Sequence, residues 1–143
     1  CLILAKRKSV LRKLHEIFRQ GHVKKIYYAL TLGQWKTPEL TIESALDIYH
    51  WQDGERVVKI NAEGKAAKTF IQVVQQSEVA SWIKVMPETG RMHQIRVHCA
   101  SKGHPVGGDE KYGDKAFNHY LYQHNLKRLC LHAFSVEFNF DDY

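Results

Sequence analysis

Turn signals cut this chain into short apolar runs, and the period of those runs decides what it can build. Phe134, Val136, Phe138 and Phe140 alternate with Ser135, Glu137 and Asn139. That period of two is the mark of a half-buried antiparallel strand. Similar runs occupy Val23 to Leu32, Thr41 to Ile48, Lys68 to Gln75 and Val79 to Met86. Leu2 to Ala5 and Leu129 to Ala133 read as buried strands. Asp53-Gly54 is a hairpin signal between Ile48-Tyr49-His50-Trp51 and Glu55 to Ile60. The period lengthens to 3.6 at Lys8 to Gln20, where Val10, Leu11, Leu14, Ile17 and Phe18 form one stripe. Ser9 is the expected N-cap there and Gly21 the C-cap. A second helix is expected from Thr89 to near Gly103, and a short one over Ala116 to His124. These elements predict one α+β domain, a mainly antiparallel sheet with two substantial helices packed on it.

At 143 residues the chain is long enough to bury a core. A net charge of +6, before nine histidines are counted, favours a polyanionic partner such as nucleic acid. No apolar run reaches membrane-spanning length. Three cysteines without a CxxC pair predict free thiols in a reducing cytosol. The apolar start at Cys1 and the stop just beyond a strand suggest a fragment.

The densest chemistry lies in Thr89-Gly90-Arg91-Met92-His93-Gln94-Ile95-Arg96-Val97-His98. A turn followed by a helix with cations and imidazoles near its start offers donors to an anion. Helical spacing points Met92, Ile95 and Cys99 at a core, with Arg91, Gln94 and His98 on a second face. His93, Arg96 and Ala100 fall on a third. The plain alternative is a solvated basic face. Tyr27, Tyr28 and Trp35 are candidates for base stacking, although one of the adjacent tyrosines must face each side of its strand. Arg96 sits beside apolar residues and needs a carboxylate, from Asp109 or from a segment outside the chain. Zinc spacing is absent, because His93 and His98 are five apart and no HExxH occurs. Cys99 and Cys130 lie in core-like runs, where thiols are usually inert.

The same stretch, followed by Gly103-His104-Pro105-Val106 and Gly108-Asp109-Glu110-Lys111-Tyr112-Gly113, resembles the RluA/RluC-type pseudouridine synthases. Leu2-Ile3-Leu4-Ala5-Lys6, Lys25-Ile26-Tyr27-Tyr28-Ala29-Leu30, Gly33-Gln34-Trp35 and Arg128-Leu129-Cys130-Leu131-His132-Ala133 resemble further blocks of the family, in order. The resemblance implies the pseudouridine synthase catalytic fold, and isomerisation of uridine to pseudouridine in large-subunit (23S) ribosomal RNA without a cofactor. It implies a flipped-out uridine, a catalytic Asp, an Arg paired with it, and a Tyr against the base. By motif the Tyr is Tyr27 and the Arg is Arg96, Leu131 lines the uracil pocket, and Arg91 and His93 contact RNA.

Two departures accompany it. The family's His-Arg-Leu-Asp block does not occur in the chain, and Met92 stands where the family usually has Thr or Ser. The expectation is therefore the C-terminal part of one catalytic domain, spanning residues 1–143 without the catalytic-Asp block or an S4-like domain. Such a chain is expected to be cytoplasmic, monomeric and inactive alone. A non-catalytic basic RNA-binding domain and a metal-dependent nuclease are the alternatives.

Overall fold

The computed structural model describes residues 1–50 and 54–140. Helix α1 (Lys8–Gln20) leads into strand β1 (Val23–Leu32), followed by β2 (Glu39–Glu43), β3 (Leu46–His50), β4 (Arg56–Ile60), β5 (Lys68–Gln76) and β6 (Ala80–Pro87). Helices α2 (Gln94–Ser101) and α3 (Lys115–Gln123) precede the last strand, β7 (Leu131–Phe138). One antiparallel sheet has the order β2-β5-β6-β1-β7, and β3 and β4 pair separately. The α+β architecture is as the patterning predicts, and the short third helix expected over Ala116 to His124 is α3.

Sheet alternation builds the main core. Ala29 on β1, Ile71 on β5, and Ile83 and Val85 on β6 share one buried face, which Ile95 and Cys99 of α2 cover. Burial pushes the Cys99 thiol up to about 12, so it is no nucleophile. A smaller cluster, Leu46, Val58, Ala67 and Val97, seats the β3–β4 hairpin, with Met92 and Tyr112 packed against it. The β1–β7 ladder slips by one residue at Ile26/Tyr27: Ser135 pairs with Ile26 and Ala133 with Tyr27, leaving Phe134 as the extra residue.

Several local expectations change. Leu2 to Ala5 forms no strand, since a strand needs a ladder and only the Cys1 amine reaches Ala133 O, at 2.8 Å. Leu2 and Leu4 are consequently exposed. Arg7 is the N-cap of α1 and makes no side-chain cap, Ser9 lying within the first turn; Gly21 closes the helix at φ 79° as expected. Thr41 to Ile48 divides at Ser44-Ala45 into strands of different sheets. The two C-terminal runs merge into the single strand β7. The β3–β4 hairpin is antiparallel as predicted, though Asp53 of its turn lies outside the described residues.

Candidate active site

The predicted helix from Thr89 starts late. Thr89 to His93 is an irregular lead-in, and α2 begins at Gln94 behind His93, whose φ of 52° is left-handed. Side chains fix this lead-in, which lacks the regular backbone ladder of a helix. Gln94 Oε1 accepts from Thr89 Oγ1 (2.7 Å) and from Arg91 N (3.0 Å). Gln94 Nε2 donates to Lys68 O (3.0 Å) and Thr69 Oγ1 (2.8 Å). His98 continues the chain, its Nδ1 2.9 Å from Thr69 Oγ1 and its Nε2 3.0 Å from Ser44 O. A carbonyl only accepts, so Nε2 carries the proton and Nδ1 accepts from the threonine. Burial, against the Ser44 bond, holds the His98 pKa below its ordinary value. Gln94 and His98 are thus buried struts, not members of the exposed polar face that spacing had joined to Arg91; Arg91 alone of the three is exposed.

Above this network lies a cleft of about 240 Å³. Tyr27, Leu131, Arg91, His93 and Arg96, the five residues singled out by motif, all line it, together with Lys25. Tyr27 and Leu131 come from the same sheet face, because Tyr27 pairs with Ala133 and Ala29 with Leu131. Among the described residues the Tyr27 hydroxyl makes no hydrogen bond. Burial lowers the pKa of Lys25, whose Nζ reaches Thr89 O at 3.3 Å. Arg91 lies at the rim, its Nε bonded to Ala66 O at 3.1 Å.

Arg96 does not await a carboxylate from elsewhere. Its Nε donates to Asp109 Oδ2 (2.8 Å) and its Nη2 to Asp109 Oδ1 (2.7 Å), a bidentate pair. Asp109 is 1% exposed and also accepts from Lys111 N (2.9 Å) and Tyr112 N (3.0 Å). Burial alone would raise its pKa; the Arg96 bonds and these amides outweigh burial and hold it low. Asp109 raises the Arg96 pKa in turn, against desolvation. The guanidinium packs over the Tyr112 ring, 4.9 Å from its centroid. Among the described residues, the outer edge of Arg96, with Nη1 and the second Nη2 hydrogen, has no partner.

Two stacking candidates are structural. Trp35 is buried, donates to Thr31 Oγ1 at 3.0 Å and stacks on His104. Tyr28, on the sheet face opposite Tyr27, stacks on Trp82 with centroids 5.5 Å apart. Sequence reading named Gln94, His98 and Tyr112 without these supporting roles and did not single out Thr69. The i, i+4 spacing of Gln94 and His98 was the available signal, but their partners lie on β5 and between β2 and β3, 25 or more residues away. A larger groove of about 880 Å³ adjoins the cleft at Lys25, Pro87 and Thr89, but it has no arginine, and its Lys24 is engaged by Glu137. Among the described residues no three His, Cys, Asp or Glu side chains are grouped to hold a metal, and no helix is long and apolar enough to cross a membrane.

The model of the RNA pseudouridylate synthase family matches residues 1–101. Ribosomal large subunit pseudouridine synthase C of Pasteurella multocida (strain Pm70) is 43% identical over 137 residues, covering 96% of this chain and 42% of that protein. Its namesake in Haemophilus ducreyi (strain 35000HP / ATCC 700724) is 44% identical over 137 residues, covering 96% and 43%. The chain spans about two fifths of the length of these relatives. Among solved structures, Human RNA Pseudouridylate Synthase Domain Containing 1 superposes with a TM-score of 0.81 at 29% identity, over 97% of this chain and 59% of that one. Human RNA Pseudouridylate Synthase Domain Containing 4, at 24% identity and a TM-score of 0.71 over 92% of this chain and 59% of that one, shares the fold. Sequence and architecture agree, and the chain belongs to the RNA pseudouridylate synthase family.

Proposed function

We propose that residues 1–143 are the C-terminal part of a catalytic domain that converts uridine to pseudouridine in large-subunit ribosomal RNA. One observation carries the reading: in a chain of this family, Tyr27, Arg96, Leu131, Arg91 and His93 line a single cleft. At about 240 Å³ the cleft is smaller than the roughly 300–1,000 Å³ usual for drug-sized ligands, and it suits one flipped base. Tyr27 lies against the base, Leu131 forms the apolar wall, and Arg91 holds a phosphate at the rim.

The catalytic carboxylate, an Asp outside these 143 residues, meets the outer edge of Arg96. Asp109 occupies the inner edge and fixes the guanidinium in place, so the incoming Asp stays ionised without having to orient the arginine. The Asp attacks or deprotonates the nucleotide, the glycosidic N–C bond breaks with its electron pair left on the uracil, the base turns and rejoins the sugar through C5, and loss of the C5 proton with protonation of N1 completes the isomerisation. No metal or organic cofactor enters. The protein acts as a monomer in the cytoplasm, where its ribosomal substrate is made, and residues 1–143 alone turn nothing over.

Arg96→Ala in the full-length protein tests this. Pseudouridine mapping of ribosomal RNA is expected to show loss of modification, while filter binding shows RNA affinity largely kept. Equal loss of both makes Arg96 a phosphate contact only. A wild-type protein that binds ribosomal RNA and leaves every uridine unmodified establishes the alternative, a non-catalytic RNA-binding domain.

A further inference from the structure

His93 shares a hydrogen-bond arrangement with Tyr112 and Val58. Val58 N–H donates to the Tyr112 hydroxyl oxygen at 2.9 Å, and that hydroxyl lies 2.9 Å from His93 Nδ1. An amide can only donate, so the hydroxyl accepts from Val58 and its own proton needs an acceptor. Among the described residues His93 Nδ1 is that acceptor. That pairing leaves Nδ1 bare and puts the proton of the neutral imidazole on Nε2; the other, Nδ1–H donating to the hydroxyl's second lone pair, would leave the tyrosine proton without a partner among the described residues. Among the described residues Nε2 has no partner, and His93 lines the cleft beside Arg96.

The surroundings keep the ring neutral. Burial lowers its pKa first; Arg96, Lys111 and Arg56 lower it further, and Asp109 opposes them. Asp109 is already occupied by Arg96, so it offers little to an imidazolium. The left-handed backbone of His93 is a conformation that a β-carbon disfavours, and the Tyr112 bond helps to hold it.

We propose that His93 reads the base in the cleft: its Nε2–H donates to the O4 carbonyl oxygen of uracil, and Tyr112 is the positioning residue that sets the tautomer. This rests on the cleft being a nucleotide site. A neutral donor matches a neutral acceptor and loses little on desolvation, whereas a phosphate would be served by the cationic Arg91 at the rim. The same donor meets another donor where cytosine carries its exocyclic amino group, so the arrangement selects uracil over cytosine.

The test uses the full-length protein labelled with ¹⁵N-histidine, His93 being assigned with His93→Gln. Two-bond ¹H–¹⁵N spectra are expected to show the neutral Nε2–H tautomer at pH 7. In Tyr112→Phe the titration midpoint of His93 rises and the Nδ1–H tautomer appears. An imidazolium or an Nδ1–H form in the wild type at pH 7 overturns the proposal.

Binding supplies the second arm, with single-stranded RNAs differing only in uridine or cytidine. His93→Ala is expected to cut the preference for uridine about tenfold or more. His93→Gln, which keeps a neutral donor, retains most of it. Equal loss of affinity for both RNAs makes His93 a backbone contact and refutes base reading. Failure of the broader reading looks different, because the tautomer and the uridine preference persist while no pseudouridine forms.

Discussion

Replacing Asp109 with Asn exchanges one carboxylate oxygen for an NH2 group at the point where the site is anchored. Asp109 is 1% exposed, and the Arg96 side chain keeps 18% exposure. Both bonds between them are charge-assisted, at 2.8 and 2.7 Å. Asn retains one oxygen, enough to accept from Lys111 N and Tyr112 N. Its amide nitrogen then faces an Arg96 N–H, donor against donor, and a mostly buried cation loses its counter-charge. Removing one partner of a buried pair costs about 3–5 kcal/mol. Partial access of water to Arg96 favours the lower end, about 3 kcal/mol. With a urea slope of about 2 kcal/mol/M for a domain of this size, the unfolding midpoint falls by about 1.5 M. Arg96→Met and the double variant complete a cycle in which the two losses are expected to be non-additive by about 2 kcal/mol. A midpoint within 0.2 M of wild type, or additive losses, would show that the pair does not hold the turn.

The His98 network makes stability depend on acid. His98 is neutral in the fold with a lowered pKa, so the unfolded chain takes up its proton first. Its contribution is complete above pH ~6.5 and is lost as pH falls toward the lower folded value, at up to about 1.4 kcal/mol per pH unit. Urea midpoints across that range should flatten in His98→Gln; an unchanged slope contradicts the assignment. Gly108→Ala is expected to destabilise by more than about 2 kcal/mol, since its Cβ would lie 2.0 Å from Arg128 O at a φ of +69°. Gly103→Ala, with φ +80° and nothing within 4 Å, carries only backbone strain of about 1–2 kcal/mol, and thermal melts compare the two. Conversion of uridine is expected to survive exhaustive chelation, and a loss restored by a divalent metal would favour the nuclease reading.

What the sequence made legible is what local period and turn chemistry encode. The apolar stripe of α1 and the apolar runs of β1, β5 and β6 are local signals, so their extents follow within a residue or two, whereas β7 joins two runs that read as separate. The residues picked by motif lie together in one cleft, and burial reasoning asked for a carboxylate beside Arg96 while leaving Asp109 and a segment outside the chain as alternatives. The start of α2 was not, because Gln94 satisfies the lead-in backbone through Thr69 and Lys68 on a strand distant in sequence. Leu2 to Ala5 fails for the converse reason. Its composition is that of a strand, but strand structure belongs to a pair, and one bond to Ala133 does not make a ladder. Trp35 looked like a stacking platform because periodicity cannot tell which aromatic will find a buried hydroxyl.

The slip at Phe134 makes side-chain facing along β7 a matter of parity. Below it, Val136 pairs with Lys25; above it, Leu131 pairs with Ala29, two strand phases joined by one supernumerary residue. Deleting Phe134 would restore an uninterrupted ladder and leave every pair in place, because Ser135 would then follow Ala133 directly, opposite the neighbours Ile26 and Tyr27. Leu131 would keep its place opposite Ala29 and Val136 its place opposite Lys25. Losing one residue elsewhere in the strand, with Phe134 retained, would instead shift the register by one and send half of the side chains to the other face. The supernumerary Phe134 thus lets Leu131 and Val136, which are out of phase by sequence, stand on one face of the sheet.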